Sequence, residues 1–325
     1  SLHCVPKSNE CPLDVTGFSF AGMPGVVIGH NDRVAWGFTN LGPDVMDLYI
    51  ERINPANPFQ YEYDGQWRDM EVTTETIEVA GADPVEVTIR RTHHGPIISD
   101  DYGLLEDFSE TAGIPLPDTF AISLRWTALE EGPAVVDAAL RLDTAQNFEE
   151  LRDALRLFEV PSQNIVYADV DGNIGYQSPG KIPIRDGWDG RLPVPGWRSE
   201  FEWTGFIPFD ELPSVYNPPE GYIVTANNPV VDDSYRHLLT TDWNYGDRAH
   251  RIVEMIEADG SIDLTDTALM QVDNRNRNGE RIRPAFLALD LSGEEDEVYT
   301  QAQAVLAGWN LDNDADSAGA AVFEA

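Results

Sequence analysis

Apolar residues in the first hundred positions come in short clusters with no helical spacing. Residues 18–20, 25–28, 34–39, 47–51, 76–79 and 85–90 are β-branched or aromatic runs separated by Gly, Pro and Asn-Asp. That punctuation predicts strands joined by tight turns from Leu13 to Asp100, with a further strand at 120–126. The period then changes: Leu151, Leu155 and Phe158 recur at helical spacing and predict a helix over 147–157. Residues 164–169 and 173–177 flank Val170-Asp171-Gly172 and read as a hairpin, Asp-Gly supplying the reversal. A Pro- and Gly-rich stretch covers 179–219, and an apolar run at 221–226 predicts a buried strand. Beyond Arg248 the pattern is amphipathic, predicting helices over 248–259, 265–273 and 294–307.

The chain therefore reads as one region, strand-rich over 13–228 and helix-rich over 248–325. Strands followed by helices suit a layered α+β fold, without the alternation of a doubly wound sheet. Its 325 residues, 42% hydrophobic with eight Trp, are ordinary globular material. No apolar run approaches the ~20 residues of a membrane helix, so no membrane span is expected.

Charge narrows the partners. Asp and Glu total 57 against 21 Lys plus Arg, a formal net charge of −36. A field of that sign repels nucleic acid and anionic membranes. Cys4 and Cys11 stand close enough in sequence to close a small loop as a disulfide, which suits an oxidising compartment. Two thiols are too few for a tetrahedral zinc site.

Four places carry candidate chemistry. In Gly29-His30-Asn31-Asp32 a strand ends and turns back, and core roles for His30 and Trp36 are the commoner outcome. Asp44 and Asp47 flank Val45-Met46 after a Gly-Pro bend and can face one side of a loop, as an oxygen-seeking cation such as calcium requires. Spacing alone favours a plain polar loop. Asn227, at the end of the apolar run, can aim an amide N–H at a developing oxyanion, although paired asparagines before proline are usually turn residues. His93-His94, read on a strand, would point to opposite faces and fail to share one metal, which makes a structural role the expectation. No Gly-x-Ser-x-Gly elbow, His-Glu-x-x-His or phosphate loop is present.

Taken together and in order, these segments resemble the penicillin acylase family of N-terminal-nucleophile hydrolases. The matching pieces are Leu2-His3, Asp14-Val15-Thr16-Gly17, 24–37, 44–47, 92–96, 167–176, 191–196, 221–228 and Gly246-Asp247-Arg248, then Trp309, Asp316-Ser317-Ala318 and Phe323. The resemblance implies a four-layered αββα sandwich, here incomplete at both ends. It implies an amide hydrolase that moves the acyl group of a small-molecule amide, a β-lactam side chain or an acyl-homoserine lactone, onto a serine. In the family that serine opens a Ser-Asn-x-Trp motif. Ser1 is followed by Leu2-His3-Cys4, so it is not assigned as nucleophile, and the chain is expected to be a β-subunit fragment, inactive alone.

Carried over by position, the resemblance makes Asn227 the side-chain oxyanion donor and Asn40 the backbone donor. Arg248 positions the nucleophile's surroundings, and Phe38 falls on the acyl-pocket wall. Calcium maps to Asp44, the Met46 carbonyl, Asp47, the Gly190 carbonyl and Asp233. The acylase α subunit is the expected partner, and a periplasmic or secreted location the expected setting. A second reading is a non-catalytic, calcium-stabilised binding or assembly module; a Ser-Asn-x-Trp stretch encoded just before Leu2 would separate the two.

Overall fold

A computed structural model describes residues 1–8, 10–100, 119–130, 132, 134–291 and 297–325. They form two compact units, one of residues 1–223 with 231–242 and one of 224–230 with 243–325.

The first unit is built on β1 (Leu2–His3), β2 (Asp14–Phe18), β3 (Ile28–His30) and β4 (Val34–Asn40). After β4 the chain leaves for a second sheet made of β5 (Met46–Asn54), β6 (Asn57–Tyr63), β7 (Gln66–Asp69) and β10 (Phe120–Trp126), with β8 (Glu71–Ile77) and β9 (Val85–Arg91) forming a separate ribbon. Two helices follow, α1 (Val135–Leu142) and α2 (Phe148–Leu155), then β11 (Gln163–Asp169) and β12 (Ile174–Gln177). β11 returns to pair with β4, Tyr167 opposite Trp36, and the sheet closes as β1-β2-β3-β4-β11-β12-β16, where β16 is Ser214–Tyr216. Every pair in it is antiparallel.

The period-2 pattern of β4 explains which face is covered. Val34 and Trp36 are buried while Ala35 between them is exposed. Val34, Trp36, Ile165 and Tyr167 make one core cluster with Ala138, Leu142, Leu151 and Leu155, so α1 and α2 lie over that face. The helix α2 starts where the sequence predicts, because the Asn147 side chain accepts from the Glu150 N–H at 3.0 Å as an N-cap.

Two expected strands are not there. Between β2 and β3 the residues 20–27 bend, and Val26 N–H donates to the Asp143 carboxylate at 3.0 and 3.2 Å, with Gly25 at a φ of 89°. Residues 221–226 form no strand either; Gly221 sits at a φ of 77°, and 222–225 run irregularly between bends at Gly221 and Ala226. Val26 and Val27 are buried without a strand, and in the second run only Ala226 is buried, so an apolar run fixes neither a ladder nor full burial.

Asp143 gives a testable consequence. It is 1% exposed, and burial pushes its carboxyl up to about 6, the Val26 N–H opposing this. A raised carboxyl means the folded state holds its proton longer than the unfolded chain does. Stability is therefore lost as pH rises from about 4 to about 6, by about 3 kcal/mol for a two-unit shift. Asp143→Asn should be more stable relative to wild type at pH 7.5 than at pH 4.5, measured by urea unfolding.

The remaining short strands of this unit are β13 (Pro183–Arg185), β14 (Val194–Pro195) and β15 (Trp203–Phe206). β13 pairs with β15, and β14 adds to β5 in parallel. Cys4 and Cys11 are joined as a disulfide, with their Cα atoms 5.7 Å apart.

The second unit is helical: α3 (Asp247–Ala258), α4 (Leu264–Gln271), α5 (Arg277–Leu287), α6 (Glu297–Gly308) and α7 (Ala318–Glu324). The helix expected at 294–307 is α6, and its first three expected positions lie outside the described residues. Trp309 is the hub of a small core with Leu306, Leu311 and Ala320. Gly279 and Gly319 are what let α5 and α7 reach it: a Cβ at either would stand 2.6 or 2.3 Å from the indole.

Candidate active site and cation cradle

Asn227 occupies a turn that few residue types accept. Its φ is 63°, a left-handed conformation that asparagine tolerates far better than β-branched residues. The turn is braced on both sides, by Ala226 N–H donating to Asn228 Oδ1 at 3.0 Å and by Asn244 N–H donating to the Asn227 carbonyl at 3.3 Å. Arg248, in the first turn of α3, reaches back from beyond the left-handed Gly246. Its Nη2 donates to the Ala226 carbonyl at 2.8 Å and to Asn227 Oδ1 at 2.6 Å.

That contact orients the amide. A guanidinium has donors only, so the Asn227 atom facing it must be the oxygen, and Nδ2 is the end that donates. Charge-assisted donation to Oδ1 also polarises the amide and strengthens its N–H. Sequence alone leaves Arg248 as a helix-start surface charge; the structure makes it the clasp of the Asn227 turn.

Phe38 and Asn40 stand on β4 in the first unit, Asn40 opposite Gln163 and Phe38 opposite Ile165. Phe38 packs edge-on against Phe158 with ring centres 5.6 Å apart. Asn40 ends the strand, and its carbonyl accepts from Asn164 Nδ2 at 3.1 Å. Asn164 is fixed in turn by Tyr176, whose hydroxyl donates to Asn164 Oδ1 at 2.7 Å. The Asn40 carbonyl is thereby tied to β11 and β12 through Asn164.

Asp44, Asp47 and Gly190 come together, 140 and more positions apart in the chain. A Cβ on Gly190, which has a φ of 79°, would stand 2.6 Å from Asp44 Oδ2 and 2.8 Å from Asp47 Oδ1. Asp47 Oδ1 is buried and has no hydrogen-bond partner. Burial holds both carboxyls above the ordinary range; the charges of Asp242 and Asp189 add to this at Asp44, and Arg185 opposes it at both. An orphaned carboxylate oxygen facing a bare glycine backbone, with a second acid beside it, is a donor set of hard oxygens that fits calcium.

Arg185 is the member that sequence reasoning missed. Its guanidinium is 2% exposed; Nε donates to Asp47 Oδ2 at 2.8 Å and Nη2 to Asp44 Oδ1 at 3.2 Å. Trp203 Nε1 takes the same Asp47 oxygen at 2.5 Å. Neither residue carries a sequence signal, since both arrive from the Pro- and Gly-rich stretch through β13 and β15. Met46 opens β5, and its backbone N–H donates to the Asp44 carboxylate. Asp233 lies exposed beside Asp232, whose carboxylate accepts from the Ser234 N–H and hydroxyl. The segment it belongs to does meet the cradle, through Asp44 N–H and the Leu239 carbonyl at 2.7 Å.

The histidine pair departs from its expected geometry. His93 and His94 lie in a bend just past β9, and their rings approach to 3.8 Å. Strand alternation does not apply there. Gly95, at a φ of 144°, makes the bend possible, since a Cβ would fall 2.1 Å from the Leu124 carbonyl oxygen. Beneath them Glu51, fully buried, accepts at Oε1 from His94 Nδ1, Thr92 Oγ1 and Ser123 Oγ at 2.8, 2.7 and 2.7 Å. Desolvation opposes a charge on His94, but the carboxylates of Glu202 and Glu51 prevail and hold it above its ordinary value.

No described helix is long and apolar enough to cross a membrane. Comparison with known proteins gives the geometry its context. The sequence profile of the family described as penicillin amidase matches residues 2–325. An acyl-homoserine lactone acylase, QuiP of Pseudomonas aeruginosa, is 33% identical over 271 residues, 83% of this chain and 32% of the relative. Penicillin acylase 2 proenzyme of a Pseudomonas species is 32% identical over 314 residues, 96% of this chain and 38% of the relative. The solved structure of a thermostable penicillin G acylase from Alcaligenes faecalis superposes with a TM-score of 0.73 at 31% identity, over 92% of this chain and 52% of that one. The chain thus spans about a third of the length of these curated relatives. By a profile match over nearly its whole length, the chain belongs to the penicillin amidase family.

Proposed function

We propose that this chain carries the oxyanion-stabilising part of an amide hydrolase that removes an acyl group from an amine through an acyl-enzyme. The observation that supports this most is the Arg248–Asn227 clasp, which holds Oδ1 on the guanidinium and so fixes Nδ2 as the donating end of the amide. When a nucleophile adds to an amide carbonyl, negative charge builds on the carbonyl oxygen. A pre-aimed N–H stabilises that charge without reorganising. Asn227 Nδ2 is one donor, and the Asn40 backbone N–H is the second. Arg248 positions Asn227, and Phe38 forms part of the acyl-pocket wall.

The nucleophile in this reading is an N-terminal serine whose α-amino group, with a reference pKa near 8, serves as base. None of the 325 residues offers a Ser-Asn-x-Trp stretch, so that serine comes from another segment, together with the acylase α subunit. The fold this reading implies is the αββα sandwich of the family. The names of the relatives support two substrate classes, β-lactam side-chain amides and acyl-homoserine lactones. Calcium in the Asp44–Asp47–Gly190 cradle, with the Met46 carbonyl and Asp233, supplies structural charge balance. Its place is in the scaffold, and a secreted or periplasmic protein would meet calcium readily.

The test is hydrolysis of chromogenic acyl-anilides with phenylacetyl and medium-chain acyl groups. The 325-residue chain alone should give no turnover while folded by circular dichroism, and the product of the longest reading frame containing it should turn over one acyl class. Turnover by the chain alone, abolished in Ser1→Ala, would overturn the assignment of the nucleophile.

A further inference from the structure

We propose that His93 Nε2, His94 Nε2 and Glu202 Oε1 form a binding site for a divalent transition-metal ion of the zinc type. Both ring nitrogens already converge on one carboxylate oxygen, His93 at 2.9 Å and His94 at 3.0 Å. All three donor atoms lie within 4.8 Å of one another.

Each donor is aimed by a partner on its other side. His94 Nδ1 is bonded to Glu51 at 2.8 Å, and Glu51 is itself held by Thr92 and Ser123. His93 Nδ1 meets the Tyr61 hydroxyl at 3.0 Å. Glu202 Oε2 accepts from Arg125 Nη1 at 2.7 Å, which leaves Oε1 facing the imidazoles. The His94 ring also stacks on Tyr49 with centroids 3.7 Å apart. Carboxylate behind histidine behind metal is the usual outer support of a zinc ligand, because it fixes both tautomer and ring plane.

The two nitrogen–oxygen pairs lie close to metal-site spacing. Zinc takes nitrogen at about 2.0–2.1 Å and carboxylate oxygen at about 2.0–2.2 Å, so tetrahedral donors stand roughly 3.3 Å apart. The present pairs must open by a few tenths of an ångström. His93 and Glu202 can provide this, with side chains 28% and 23% exposed, while His94 stays fixed and buried. On binding, the His94 proton that faces Glu202 leaves for solvent while Nδ1 keeps its proton toward Glu51, and the His93 proton moves to Nδ1, which then donates to the Tyr61 oxygen. Two imidazoles and one carboxylate suit zinc, nickel or cobalt and not calcium. Three protein ligands leave a fourth position for water or a small anion. The site is separate from the all-oxygen cradle at Asp44 and does not depend on the proposed acylase activity.

The experiment is calorimetric titration of zinc into the EDTA-stripped chain at pH 7.5, with calcium in excess to occupy oxygen-only sites. Expected is one zinc per chain with a Kd of about 1 μM or tighter, and cobalt should give visible d–d absorption bands. His93→Ala should weaken binding on the order of 100-fold, and Glu202→Gln similarly, with the cobalt bands lost. Circular dichroism and metal-free Tm of His93→Ala should stay close to wild type, because the buried Glu51–His94 network is untouched. Two results would overturn the site. One is no binding below millimolar zinc, which makes the cluster a hydrogen-bonded hub only. The other is unchanged stoichiometry and affinity in His93→Ala, which places the zinc elsewhere, such as the exposed His3–Asp14 pair.

Discussion

Asn227→Ala, made in the full reading frame that contains this chain, lowers kcat by about 100- to 1,000-fold, with KM changed only a few-fold. The split follows from when the N–H acts. A neutral substrate carbonyl gains little from the amide, whereas the tetrahedral oxyanion gains about 3 kcal/mol, so the loss falls on the chemical step. Arg248→Met should give a smaller loss of the same kind. It leaves the amide in place but frees the turn and removes the charge that fixes which end donates. A variant that loses KM instead would put Asn227 in ground-state binding.

The second large effect is on stability. Arg185→Met should destabilise the chain by about 3–5 kcal/mol in EDTA, measured by urea unfolding. Arg185 and Asp47 are 2% and 1% exposed at the side chain, and the guanidinium is the positive group bonded to both carboxylates. Taking it away strands two acids against the Gly190 backbone, one of them already with an orphaned oxygen. Millimolar calcium should return part of that loss, and should raise the Tm of Arg185→Met more than that of wild type. A loss below about 1 kcal/mol would mean that the acids are held protonated. Equal calcium responses in the two proteins would remove calcium from the cradle.

What the sequence made legible was local. The hairpin around Asp171-Gly172 could be read because the turn residues do the folding themselves: Asp169 Oδ1 accepts the N–H groups of Asp171 and Asn173 at 2.9 Å each. The helix at 147–157 could be read because its apolar spacing and its Asn147 cap agree. Asp64-Gly65 offers the same turn signal, with φ values of 47° and 75°, and joins β6 to β7, a hairpin absent from the strands expected above. Phe59, Tyr61 and Tyr63 alternate with Gln60 and Glu62, so β6 carries a period-2 signal of its own, whereas the short β7 is exposed throughout and offers Trp67 alone.

The site divides in the same way. Asp44 with Asp47, and Asn227 with its turn, could be nominated from neighbouring residues. Arg185 and Trp203 could not, because they reach the cradle through a Pro- and Gly-rich stretch with no periodicity. The expected opposite-face geometry of the histidine pair fails because residues 93 and 94 do not continue the strand. Gly95 ends it, and two side chains meant for opposite faces meet over one carboxylate. Glu51, inside β5 and surrounded by apolar positions, gives no hint in sequence that three donors and a glycine, Gly196, close around it.

The most direct measurement of the central claim is the rate of acyl-enzyme formation, by rapid quench and intact mass, in wild type and Asn227→Ala. Expected is an acyl adduct on an N-terminal serine outside these 325 residues, formed about 100- to 1,000-fold more slowly in the variant. An adduct within the chain, or one formed at the same rate in both proteins, would contradict the claim.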